Sequence, residues 1–193
     1  MSVLIAGLVV FLGVHLLPAL QGSRAALVQR WGEQRYKGIF TLISFAGLGL
    51  IIAGYGMAMP GAQLFAPSRT AIAIAPYAMA LSFVLFAAAN MRTYIRQVVK
   101  HPMLLGLAIW AAVHLLANGD TRGTLLFASF FVYAAIDLVS VVQRHAIKDF
   151  APTARHDAIA VVAGITVALA LMALHRPLFG VAVVPWGIGG SAS

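Results

Sequence analysis

Among side chains that hold metals or move protons, this sequence has six histidines, five acids and no cysteine. The missing cysteines exclude disulfides, zinc–thiolate sites, iron–sulfur clusters and cysteine nucleophiles. A bound iron would have to be held by His, Met, Tyr or a carboxylate. His15 stands inside the apolar run Ser2–Leu20, and His114 inside Pro102–Asn118, with Trp110 and Asn118 four residues to either side on one helical face. Asp137 lies in a polar stripe of Ser129, Tyr133, Asp137, Ser140 and Arg144. His175 ends the last long apolar run, while His101, His145 and His156 sit at run edges, where a solvated interfacial role is the ordinary expectation. In a bilayer such intramembrane polar groups mark either function or a satisfied pair. For His15 and His114 the two readings are an interhelical hydrogen bond and ligation by neutral imidazole. Haem asks for only one or two axial side chains and an apolar cage, whereas zinc asks for three or four ligands. Asp137 is a catalytic candidate or a structural partner of Arg or His. Glu33 is a second catalytic candidate, or else the partner of Arg24 in a salt bridge.

These residues need elements to position them, and composition says which kind. Of 193 residues, 62% are hydrophobic and 9% charged, against about 25% charged in a soluble domain. A chain of this size cannot hide so much apolar surface from water, so it is an integral membrane protein. The runs Ser2–Leu20, Gly38–Met59, Thr70–Asn90, Pro102–Asn118, Gly123–Val142 and Asp157–Leu174 each have the length that a bilayer requires. The expected fold is all-α, a polytopic membrane bundle of six transmembrane helices forming one domain over 1–193. Gln21–Lys37 reads as a polar loop and Pro60–Arg69 as a turn. Arg92, Arg96 and Lys100 follow the third run at four-residue spacing, on one helical face. Residues 178–188 are apolar but too short to span, and read as re-entrant or interfacial.

The net charge is +8. In this composition it reports membrane topology and contact with anionic lipid, not nucleic acid. Ten Lys and Arg follow the first, third and fifth runs, and three lie on the opposite side. The positive-inside rule then puts both termini on the periplasmic side.

Three stretches carry a resemblance. The first is His15, Pro18, Arg24, Gly32-Glu33, Tyr36-Lys37-Gly38-Ile39-Phe40 and Ser44. The second is Lys100-His101-Pro102-Met103, Trp110, His114-Leu115 and Asn118-Gly119-Asp120. The third is Leu174-His175 with Phe179-Gly180. Together they resemble the NnrU family of bacterial membrane proteins, related to the 15-cis-ζ-carotene isomerases. The resemblance implies six helices in the inner membrane and a link to nitric oxide and denitrification. Through the isomerases it implies a redox-gated haem b, with an apolar small molecule or nitric oxide as substrate. The two haem ligands fall on His15 and His114, and Arg24 and Glu33 also match the isomerase pattern. His101 and Asn118 join His15, His114 and Arg24 as expected cofactor-binding residues.

Depth along the helices leaves other ligand pairs open. His15 and His114 each lie about four residues past the centres of oppositely directed spans, roughly 12 Å apart in depth. A haem lying nearly flat in the membrane suits that pair; otherwise His15 pairs with His101, or His114 with His175. Two further functions stay in view. A His-Pro opening a late membrane helix resembles S-adenosylmethionine-dependent membrane methyltransferases, although no Glu follows Glu33. A non-enzymatic transporter or sensor is the other.

Overall fold

Proline, glycine and capping residues cut these runs into helices. The computed structural model describes residues 1–20, 22–144 and 150–188. Among them are eight α-helices: α1 Ser2–Leu16, α2 Ser23–Trp31, α3 Glu33–Met57, α4 Arg69–Ala89, α5 Tyr94–Val99, α6 Pro102–Asn118, α7 Thr121–Gln143 and α8 Ala154–Phe179. Five stretches are long and apolar enough to cross a membrane: α1 with the 3-10 turn after it, α3, α4, α7 and α8. α6 is apolar but shorter, at 17 residues. Large apolar side chains point outward along these helices, among them Leu42 at 71% exposure and Phe45 at 67%. That is the surface of a protein solvated by lipid.

The chain divides into two compact units, one of residues 1–67 and 114–146, the other of 68–113 and 147–193. In the first, α1 and α3 run antiparallel at close range. Gly7, Gly47 and Gly54 make this possible: a Cβ on Gly7 would lie 2.6 Å from the Ile51 nitrogen, and one on Gly47 2.8 Å from the Phe11 nitrogen. Small residues at a membrane helix interface let backbones pack where lipid removes the hydrophobic driving force. α7 joins this pair through Phe130 against Phe11, ring centroids 5.9 Å apart.

In the second unit α4 packs antiparallel on α8, with Gly164 against the backbone of Val84. The buried Ser82 hydroxyl donates to the Gly106 carbonyl of α6 at 2.8 Å, so a polar side chain in an apolar setting is satisfied. Met79, Val113, Ala168, Met172 and Val184 form its core.

Three stretches differ from what the sequence leads one to expect. Gln21–Lys37 is not simply a loop. Among its described residues it holds α2 and the first turn of α3, separated by Gly32 at φ +79°. Ser-Arg-Ala-Ala-Leu is a run of fair helix formers, and Glu33 suits the positive N-terminus of α3. The basic stripe after the third span is broken as well. α4 ends at Ala89, and α5 starts afresh behind Thr93, whose hydroxyl accepts from the Arg96 amide at 2.9 Å. The Asp157 carboxylate takes the Tyr94 and Ile95 amides at 2.9 and 3.0 Å, so Arg92, Arg96 and Lys100 do not share one helix.

The third is the C-terminal segment, whose first residues, Leu178 and Phe179, continue α8 and whose remainder folds back on it. Pro177 has no N–H to give the Ala173 carbonyl four residues earlier. The Ile188 amide fills that vacancy at 2.8 Å, and Val184 is drawn into the core at 5% exposure.

Lys100 joins α5 to α6 at φ +65° and ψ −51°, with the His101 amide donating to the Val99 carbonyl at 2.7 Å. This is a γ-turn of the strained hand, and a side chain there costs free energy that glycine avoids. Lys100→Gly is expected to raise stability by about 1 kcal/mol, read as a higher melting temperature in detergent.

Candidate functional site

The polar residues of the first unit converge on the meeting of α1, α3 and α7. His15, in the last turn of α1, approaches the Phe11 carbonyl with Nδ1 at 2.7 Å. A carbonyl only accepts, so Nδ1 is the donor in this contact, and in the neutral imidazole Nε2 has the lone pair. The imidazole lies among three rings: Phe11 at 4.2 Å, Phe40 of α3 at 5.1 Å and Tyr133 of α7 at 6.3 Å between centroids. The Phe11 carbonyl is the acceptor that an otherwise unsatisfied ring N–H in an apolar helix needs.

Tyr133 continues the site along α7. Its hydroxyl donates to Asp137 Oδ2 at 3.2 Å. The other carboxylate oxygen lies 3.7 Å from Arg144 Nη2, and Arg144 Nε reaches the Ser140 hydroxyl at 3.1 Å. The i, i+4 stripe is thus a connected line from the end of α7 to its middle. Beside it opens an apolar groove of about 370 Å³, lined by Leu12, Leu16, Ala128, Ser129, Val132, Tyr133 and Ile136. Tyr133 both lines the groove and packs edge-on against His15.

The other candidates fall elsewhere. His114 stacks on Phe127 of α7 at 4.9 Å, and its carbonyl accepts from the Asn118 amide at 2.7 Å. Phe127 and Tyr133 are six residues apart, about 9 Å of helix rise, so the two imidazoles rest on rings at different levels of α7. Glu33 is exposed and held by Lys37 at 3.0 Å and Arg24 at 3.8 Å. Arg24 also lies over the Tyr36 ring at 5.7 Å. This network serves to tie α2 to α3.

His101 and His175 belong to the second unit. His175 Nδ1 donates to the Val181 carbonyl at 2.9 Å, which ties the C-terminal segment to α8. His156 is half-buried with its Nδ1 sealed from solvent, in place of the solvated edge expected of it, while His145 falls outside the described residues. Among the described residues, no three His or acidic side chains gather to hold a metal ion.

Asn118, Gly119 and Asp120 organise the loop between α3 and α4. Gln63 Nε2 donates to the Asn118 carbonyl at 2.8 Å, and the Leu64 amide to that of Gly119 at 2.8 Å. Asp120 caps α7 by accepting from the Gly123 amide at 2.9 Å. Arg122 closes α3, donating to the Tyr55 and Ala58 carbonyls at 3.1 and 2.8 Å while its guanidinium lies 4.2 Å over the Tyr55 ring. A cation at the negative end of a helix is favourable.

Sequence reasoning found His15, Asp137 and the stripe but assigned no role to Tyr133 or Phe40. Tyr133 had a signal, its place four residues before Asp137. Phe40 stood in a motif with nothing to say which residue it would meet.

No curated protein and no solved structure matches the chain. The family model described as "NnrU protein" matches residues 3–183, a stretch holding every transmembrane candidate and the whole site around His15, and the chain belongs to the NnrU family.

Proposed function

We propose that this NnrU-family protein crosses the bacterial inner membrane six times, with both termini periplasmic. We propose further that it holds a b-type haem at His15, for redox or isomerase-like chemistry on an apolar small molecule or nitric oxide. α6 supplies the sixth span: its 17 residues rise about 25 Å, within the range that a slightly thinned bilayer accepts. The orientation rests on the ten-to-three distribution of Lys and Arg.

The observation that carries the haem reading is the contact of His15 Nδ1 with the Phe11 carbonyl. A ligating histidine commits one ring N–H to an acceptor, which orients the imidazole and leaves the other nitrogen to bind. His15 makes such a contact with the Phe11 carbonyl, beside the rings of Phe11, Phe40 and Tyr133. His15 would hold the group through one bond; His114, the second ligand that the resemblance implies, rests on Phe127, about 9 Å of helix rise from Tyr133 along α7. Bound there, haem would supply an iron that exchanges one electron and a position for a small ligand. The chain's own residues orient the imidazole. Of the two acidic candidates, Asp137 is the one beside the groove, its carboxylate accepting from the Tyr133 hydroxyl.

A visible spectrum of the detergent-purified protein, oxidised and then reduced, tests this. A Soret band is expected from the wild type and should fall at least tenfold in His15→Ala, since one ligand carries the site. His114→Ala is expected to keep the band. If His114→Ala loses it too, the two-histidine arrangement replaces the single one. A colourless protein from cells supplied with haem refutes the reading.

A further inference from the structure

The groove between α1 and α7 has a chemistry distinct from that of His15. Both helices are apolar and of membrane-crossing length, so a molecule reaches this groove from the bilayer. Its volume is about 370 Å³, and it is largely open along its length. Leu12, Leu16, Val132 and Ile136 offer an apolar molecule only dispersion contacts.

At Tyr133 the lining turns polar in a particular sense. The phenol proton is committed to Asp137, so the phenol oxygen has lone pairs left and no proton to give. The carboxylate behind it accepts only. Ser129, one turn earlier, has a hydroxyl that rotates to suit either role. A carbonyl or ether head group finds no donor at Tyr133. A carboxylate or phosphate head group brings a negative charge beside Asp137. A hydroxyl finds an acceptor.

We propose that this groove binds an uncharged membrane amphiphile ending in a hydroxyl group, a lipid-soluble alcohol or phenol, with its stem on the apolar lining and its hydroxyl on Tyr133. This names the substrate class for the reading above and rests on that reading only for the reaction that follows binding.

Photolabelling of the detergent-solubilised protein, with no haem added, tests the binding alone. The probe is a long-chain alcohol bearing a diazirine, and the competitors are farnesol and its methyl ether. Label is expected on peptides around Leu12–Leu16 and Ala128–Ile136. Farnesol should displace it at about tenfold lower concentration than the ether, the value of one hydrogen bond. Tyr133→Phe keeps the ring against His15 and should bring the two competitors level. Val132→Trp should fill the groove and abolish labelling, with melting temperature confirming that each variant folds. Equal displacement by farnesol and its ether in the wild type overturns the proposal. So do label on other helices, persistent labelling of Val132→Trp, or a tenfold preference surviving in Tyr133→Phe. A colourless protein that still discriminates the two competitors would refute the haem at His15 and leave this site standing.

Discussion

Gly54→Val is expected to prise α1 from α3 and to destabilise the protein by about 3 kcal/mol or more. A Cβ at Gly54 would overlap the Leu4 amide nitrogen and lie 2.6 Å from its Cα and 2.8 Å from the Val3 carbonyl carbon. These are backbone atoms of the facing helix, so no rotamer change relieves the contact. The helices must separate along their length, and the Phe11–His15–Phe40 cage goes with them. Thermal unfolding in detergent reads the effect. Gly56→Val is the control: it lies on the same helix, two residues on, and a Cβ there meets nothing within 4 Å. It is expected to melt within a degree or two of wild type, since exposed substitutions change stability by about 0.5 kcal/mol at most. Equal losses in the two variants would mean that α3 does not present this face to α1.

Gly119→Ala is expected to undock the loop between α3 and α4, with a loss of about 2 kcal/mol or more. Two effects add. Gly119 sits at φ +79°, a region where an L side chain costs roughly 1–2 kcal/mol. The new methyl would also overlap the Phe65 carbonyl oxygen and lie 2.6 Å from Gln63 Nε2. Relief requires the loop to move, which breaks the Leu64–Gly119 and Gln63–Asn118 hydrogen bonds and leaves their acceptors unmet. Gly180→Ala separates the two effects, because Gly180 has φ +79° with open space around it. It should show the conformational part alone. Limited proteolysis should find the segment around Gln63 cut faster in Gly119→Ala than in Gly180→Ala, and equal rates would refute the docking argument.

Five of the spans were legible because a bilayer demands about 20 apolar residues in a row, and that demand is met within five of the runs. Tyr133, Asp137, Ser140 and Arg144 were legible as one stripe for the same reason: neighbours at i, i+4 meet whatever surrounds the helix. The Arg24–Glu33 pair was anticipated too, as two charges near in sequence on one side of the membrane. Breaks were harder to see. The stripe of Arg92, Arg96 and Lys100 satisfies helical spacing, yet Thr93 starts a new helix there because Asp157, distant in sequence, caps it. The C-terminal segment was apolar and short on any reading. What it does follows from Pro177, which leaves a carbonyl for Ile188 to satisfy.

By itself the sequence determined the membrane class, the long apolar helices and the polar residues that lie in them. The tertiary structure decided which of those residues meet. α3 carries two glycine pairs at the same seven-residue spacing, Gly47 with Gly54 and Gly49 with Gly56, and local periodicity treats them alike. Only packing chose the first pair to receive α1 and left the second facing outward. The same choice brought His15 between Phe40 and Tyr133, because contacts between helices depend on which faces approach, and a helix's own period says nothing about its partner.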